Sequence, residues 1–178
     1  SDWSVTGVQT VALPIFVSHL DAATKTIVFD DDETLAFDTL LIATGSHPVH
    51  PPIPGIDSVG VHTCWTLEDA RAIMALATQG ARVLQLGAGF IGCIIMEALT
   101  ARGVQLSVVE MGDRMVPRMM GPTAGGMIRD WCEAKGVEVF TGTRVEANEH
   151  GTPLTGRRSN GKTMPADPVT SASGVRRA

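Results

Sequence analysis

Gly87-Ala88-Gly89-Phe90-Ile91-Gly92 has the spacing of a glycine turn that lays a diphosphate against bare backbone. Gly87 lets the chain turn sharply out of a strand. Gly89 has no Cβ, so a pyrophosphate can approach the backbone. Gly92 lets the following helix pack close to the sheet. Free N–H groups and the positive end of the helix dipole then face the phosphates. The turn carries no lysine, so its backbone amides, those of Ala88, Phe90 and Ile91 included, do most of the binding. Glu110 lies 21 residues after Gly89. That is close to the spacing of about 20 for an acid that accepts from ribose hydroxyls. Such an acid repels a 2′-phosphate, which favours NAD over NADP. Arg114 and Arg118 are near enough in sequence to offset part of that repulsion. The competing reading is a turn that only packs strand against helix.

The elements around the turn decide between these readings. Ala81-Arg-Val-Leu-Gln-Leu86 is a predicted strand leading into it. A helix follows to about Arg102, with Ile91, Ile94, Ile95, Ala98 and Leu99 as its expected inner face, and Gly103 ends it. Gln105-Leu-Ser-Val-Val109 is the second strand, and Glu110 stands at its tip. Upstream, Thr66-Leu-Glu-Asp69 resembles a capping box for a helix from about Leu67 to Gln79, with Ala70, Ile73, Met74 and Ala77 inward. Downstream, Pro122 to Lys135 reads as a helix and Val137 to Phe140 as a third strand. Short strands joined by Gly, Pro and Asn turns follow from Thr143 to Met164, with a last strand within Ala166 to Gly174. Pro168 is expected to weaken that last strand. Near the start, Thr26 to Phe29 and Thr34 to Phe37 suit a hairpin across the charged Asp30-Asp-Asp-Glu33. Asp38-Thr-Leu-Leu-Ile-Ala43 has the continuous apolar character of a parallel strand buried on both faces. The fold class is therefore α/β: a Rossmann-like parallel sheet with flanking helices, a small antiparallel meander and a partial further domain segment at the N-terminus.

Composition narrows the function classes. The chain has 178 residues, 44% of them hydrophobic, and a net charge of −5. Nothing global attracts nucleic acid or an anionic membrane. No apolar run approaches the roughly 20 residues of a membrane helix. Cys64, Cys93 and Cys132 form no Cys-x-x-Cys pair and read as buried small hydrophobes; an odd count without a secretory signal suits the cytoplasm. No metal ligand set is expected, with His47 and His50 taken as loop residues. The methionines from Met111 to Met127 are expected in core and loop packing. Val5 to Ile15 looks like translated sequencing-adapter read-through, so residues 1–15 are expected to be a non-native or disordered leader.

Several motifs occur in an order that resembles the FAD-dependent pyridine nucleotide-disulfide oxidoreductases. These are Leu40-Leu-Ile-Ala-Thr-Gly-Ser46, Pro52-Ile-Pro-Gly55, Thr66-Leu-Glu-Asp69, Gly87 to Gly92, and Glu110 to Arg118. The nearest resemblance is to NADH-dependent rubredoxin and ferredoxin reductases and the reductase part of nitrite reductases. It covers about Thr24 to Arg176. It implies an FAD domain interrupted by an NAD domain. Residues 16–53 would be a partial FAD segment, 54–167 the NAD domain, and 168–178 the return to the FAD domain. It also implies FAD contacts at Thr44, Gly45 and Gly174, the last within Thr170-Ser-Ala-Ser-Gly-Val-Arg176. Neither an N-terminal glycine turn for FAD, nor the later Gly-Asp motif, nor the C-terminal interface domain is present, so the chain resembles the middle of an enzyme. Where members often carry Glu two residues after the third glycine, this chain has Ile94, and the role is not transferred to Glu97. The implied parent passes hydride from NADH to FAD and on to an acceptor, for example an electron-carrier protein. It needs no catalytic acid, base or nucleophile from this chain. The rival from another class is a non-catalytic NAD-binding module without flavin or turnover.

Overall fold

The computed structural model describes residues 16–149 and 154–177; the expected leader, residues 1–15, lies outside them. In chain order the strands are β1 Val17–Asp21, β2 Thr26–Phe29, β3 Thr34–Ala36, β4 Ser46–Pro48, β5 Val61–Thr63, β6 Arg82–Leu86, β7 Gln105–Val109, β8 Glu138–Phe140, β9 Val145–Glu149, β10 Leu154–Arg158, β11 Thr163–Ala166, β12 Val169–Ser171 and β13 Val175–Arg177. The helices are α1 Leu67–Leu76, α2 Phe90–Ala101 and α3 Pro122–Ala134. Two units divide between Ala43 and Thr44.

The first unit is an antiparallel sheet in the order β1-β2-β3. Its turns are made by acids. Asp21 Oδ1 accepts the amides of Ala23 and Thr24, and Asp31 Oδ1 accepts that of Glu33. The expected hairpin across the acidic run is present as β2 and β3. The expected strand at residues 38–43 is not formed. Those residues lie in bends and irregular chain, and Leu41 is 87% exposed. A parallel strand needs backbone partners on its flanks, and among the described residues none pairs with this segment.

The second unit carries a five-stranded sheet in the order β5-β12-β6-β7-β8, with every pairing parallel. One face packs on the helices through Ile73, Val83, Ile95, Leu99, Val108, Cys132 and Val139. The other packs on the antiparallel meander β11-β10-β9 through Leu84, Leu86, Val145, Met164 and Ala166. A separate two-stranded ribbon pairs β4 with β13. The capping box of α1 is formed in full: Thr66 accepts from the Asp69 amide, and Asp69 accepts from the Thr66 amide. α1 ends at Leu76, short of the expected Gln79.

Two helix faces differ from expectation. On α2 the inward residues are Gly92, Ile95, Met96 and Leu99, while Ile94 is 55% exposed and Ala98 lies on the surface. Contact between Gly92 and the end of β6 sets the helix rotation, which carries Ile94 outward. On α1, Met74 is exposed and Ile73 and Ala77 form the contact. Of the methionines from Met111 to Met127, Met115 alone is core; Met111, Met119, Met120 and Met127 are exposed.

β12 is not weakened by Pro168. The proline precedes the strand, so its missing N–H is not needed, and its carbonyl still accepts from Leu84 at 3.2 Å. Val169, Thr170 and Ser171 are all buried between β5 and β6. Just before them, Asp167 accepts from the Arg82 backbone amide at 2.8 Å and from its guanidinium at 2.9 Å. The guanidinium and the amide of Arg82 hold the Asp167 carboxyl below the usual carboxylate range. A depressed folded value stabilises the fold above the unfolded value of about 3.9 and loses that effect as pH falls through the folded value. The pair is largely solvent-exposed, so Asp167→Asn is expected to cost under about 1 kcal/mol at pH 7. Chemical denaturation of both proteins at pH 7 and near pH 3 checks this: the difference must shrink at the acid end.

Candidate functional site

The carboxyl ends of β12, β6 and β7 lie side by side, and open α/β sheets bind ligands along that edge. The glycine turn leaves β6 there, and Glu110 leaves β7. Gly87 has φ +98°, and a Cβ on it would lie 2.7 Å from the Ala172 carbonyl oxygen. A Cβ on Gly92 would lie 2.6 Å from the Gly87 carbonyl oxygen and 3.0 Å from Gln85 Nε2. The protein's own packing requires these two glycines. Gly89 is different: its φ of −75° suits any residue, and nothing lies within 4 Å of where its Cβ would be. It is the N-cap of α2 and no side chain caps that helix. The amides of Phe90, Ile91 and Gly92 therefore have no acceptor within the helix. An uncapped helix start beside open space at a bare residue suits an anion.

Glu110 reaches this turn. Its Oε2 accepts the Ala88 amide at 2.7 Å, and its Oε1 accepts the Gly112 amide at 2.7 Å. A carboxylate oxygen has two lone pairs, so each retains an acceptor direction for a diol. The following loop closes beneath the carboxylate because residue 112 is glycine; a Cβ there would lie 2.8 Å from Pro117 Cγ and 3.1 Å from Glu110 Oε1. The Val116 amide then donates to the Ala88 carbonyl at 2.9 Å. Val116 holds φ +48°, a conformation that costs of order 1–3 kcal/mol in a β-branched residue. No hydrogen bond or ion pair among those described joins Arg114 to Glu110. Its guanidinium donates to the Asp113 carboxylate and to the carbonyls of Met120 and Pro117, all within its own loop.

Gly112, Val116 and the buried Gln85 were not singled out from the sequence. For Gln85 a signal existed: it is a polar residue inside the apolar run Val83-Leu-Gln-Leu86. Val116 carries no such mark, since its role comes from its backbone.

Thr44, Gly45 and Gly174 form a separate group. Gly174 has φ +100°, and its carbonyl accepts from Val49 at 2.9 Å. It opens β13, whose Arg177 pairs with Ser46 beside Gly45. Gly174 lies two residues beyond Ala172, which abuts Gly87. No hydrogen bond among those described joins Thr44 or Gly45 to the glycine turn or to Glu110.

Hollows among the described residues of this unit include two away from Glu110. One of about 570 Å³ lies at the amino ends of β6 to β8, away from the turn, lined by Gln105, Glu138 and Arg158 among others. The other, about 400 Å³, runs from Phe90 along α2 to α3, and both Ile94 and Glu97 line it with Trp131. Burial pushes the thiols of Cys64, Cys93 and Cys132 up, and nearby carboxylates add to the effect, so they stay protonated at neutral pH. Among the described residues no helix is long and apolar enough to cross a membrane.

The pyridine nucleotide-disulphide oxidoreductase family model matches residues 6–178. The epsilon subunit of NADH-dependent phenylglyoxylate dehydrogenase from Aromatoleum evansii is 34% identical over 160 residues, which is 88% of this chain and 38% of the relative. The ferredoxin–NAD(+) reductase component of the biphenyl dioxygenase system of Paraburkholderia xenovorans is 31% identical over 98% of this chain and 43% of its own length. Among solved structures, an NAD-dependent persulfide reductase from A. fulgidus superposes with a TM-score of 0.79 at 35% identity, covering 91% of this chain and 31% of that one. The chain thus spans about two fifths of the curated relatives named here.

Proposed function

The chain belongs to the pyridine nucleotide-disulphide oxidoreductase family, and on that premise we propose that it supplies the NAD(H)-binding domain of a flavin-dependent NADH oxidoreductase. The observation that carries this reading is Gly89, a glycine with no steric or conformational need of its own at an uncapped helix start, next to Ala88, whose amide donates to the strand-tip carboxylate of Glu110 at 2.7 Å. The amides of Phe90, Ile91 and Gly92 bind the pyrophosphate of NADH. Glu110 accepts from the adenosine ribose hydroxyls, and its charge disfavours a 2′-phosphate. Its bonds to Ala88 and Gly112 hold the carboxylate still, so the ribose meets a preset acceptor. NADH supplies a hydride, and FAD in the complete parent enzyme takes it before an acceptor is reduced. An electron-carrier protein is the acceptor type suggested by the ferredoxin reductase relative. This chain's part is binding, orientation and exclusion of water; no acid, base or nucleophile is assigned.

For flavin, the described residues offer less. Thr44, Gly45 and Gly174 lie in irregular chain around the ribbon, and the apolar Leu41 and Ile42 that precede them are exposed. That observation favours the second reading for the chain by itself, an NAD-binding module without turnover. Titration of the purified chain with NADH, NADPH and FAD tests both. Weak NADH binding, weaker NADPH binding and no retained flavin are expected. Tighter NADPH than NADH contradicts the role of Glu110. Stoichiometric yellow flavin with NADH-dependent dye reduction contradicts the non-catalytic reading.

A further inference from the structure

Gln85 lies within the central part of the parallel sheet, in β6, with no exposed surface. Its Nε2 donates to the Gly87 carbonyl at 2.9 Å and to the Gly92 carbonyl at 3.0 Å. Those residues bound the glycine turn at its two ends, so one side-chain amide closes the turn across its base. Two carbonyl acceptors demand the NH2 side of the amide, which fixes its orientation. Oε1 then faces elsewhere, buried and without a partner.

The neighbouring strands continue the pattern. Thr170 of β12 pairs with Gln85 in register, and His62 of β5 pairs with Thr170. Paired residues on adjacent parallel strands direct their side chains to the same face. Thr170 Oγ1 and His62 Nε2 are likewise buried and unpartnered. An acceptor, a hydroxyl that both donates and accepts, and a ring nitrogen thus stand in one row across three strands. Buried polar atoms in folded proteins find partners, often through ordered water.

We propose that Gln85 is a positioning residue for the dinucleotide turn, kept in its orientation by the polar row it shares with Thr170 and His62. The inference rests on the nucleotide reading above and deepens it. By fixing the Gly87 and Gly92 carbonyls relative to each other, the amide fixes where the uncapped helix start aims its N–H groups. An apolar side chain of equal volume fills the space but leaves that aim to fluctuate.

The test compares Gln85→Leu and Thr170→Val with the parent chain, by NADH fluorescence titration well below each melting temperature and by backbone amide NMR. Gln85→Leu is expected to weaken NADH binding about tenfold, the worth of roughly two neutral hydrogen bonds, and to shift the resonances of residues 87–93. Thr170→Val leaves both donors in place and is expected to weaken binding about threefold. A lowered melting temperature with NADH affinity unchanged in folded Gln85→Leu means the residue only packs, and overturns the inference. Should Gln85→Leu not fold, unchanged affinity in Thr170→Val overturns it instead. If the parent chain binds no NADH, the nucleotide reading fails separately. The positioning inference then stands or falls on whether Gln85→Leu moves the turn resonances.

Discussion

Gly89→Val is expected to lower NADH affinity more than a hundredfold while the fold survives nearly intact. The two halves of that result have different causes. A valine Cβ at this position meets no atom within 4 Å, and the backbone φ of −75° accepts it. The remaining cost is the poorer N-cap, about 1 kcal/mol, or roughly 2–4 °C in Tm for a chain of this size. A pyrophosphate lying against bare backbone, in contrast, would share its space with the two γ-methyl groups. A hundredfold loss corresponds to about 2.7 kcal/mol, a modest demand for displacing a charge-assisted contact. Gly92→Ala is the contrasting control. Its Cβ falls 2.6 Å from the Gly87 carbonyl oxygen, so backbone must move and stability is expected to fall by about 1–3 kcal/mol. Calorimetric melting and NADH titration of both variants separate a glycine kept for a ligand from one kept for packing. Unchanged affinity in folded Gly89→Val means the turn is structural only.

Glu110→Ala carries the second large effect, and it acts on affinity and stability together. In the proposed nucleotide complex it would remove hydrogen bonds from two ribose hydroxyls to a charged acceptor, each worth about 1.5–3 kcal/mol. NADH binding is expected to weaken by about two orders of magnitude or more. NADPH has only its 3′-hydroxyl to lose there and also sheds a like charge beside its 2′-phosphate, so the preference for NADH narrows. The guanidinium donors of Arg114 are already engaged within its own loop. The substitution also leaves the Ala88 and Gly112 amides without their acceptors, which is expected to cost about 1–3 kcal/mol. Glu110→Gln retains an acceptor oxygen without the charge. It should recover part of the stability and keep the narrowed NADPH gap. Competition titrations with both nucleotides check this; an undiminished NADH preference in Glu110→Gln would place the discrimination elsewhere.

The parts of the fold that sequence patterns made legible share one property: their information is local. The strand, turn, helix, strand and acid from Arg82 to Glu110 lie in one continuous stretch, and they are formed as expected. So is the capping box at Thr66, which needs only four consecutive residues. What stayed hidden depends on partners distant in sequence. β5 is three residues long and gains its place only by pairing with β12, more than a hundred residues later. β12 itself reads as a weak strand after Pro168, yet it occupies the interior of the sheet. Residues 38–43 show the opposite case, an apolar run that reads as a buried strand and finds no pairing among the described residues. At the proposed site, the glycines and Glu110 were legible because the proposed roles depend on their side chains or on the lack of them. Val116 acts through its backbone amide, and Gly112 through a contact with Pro117, so residue type alone did not reveal them.

One nucleotide is proposed to span the uncapped start of α2 and the tip of β7. Backbone amide NMR of the isotopically labelled chain during NADH titration tests it most directly. The saturating shifts are expected to include Ala88, Gly89, Phe90, Ile91, Gly92 and Gly112, and Gly89→Val is expected to remove them together. Saturable NADH binding that leaves those six amides unmoved would contradict it.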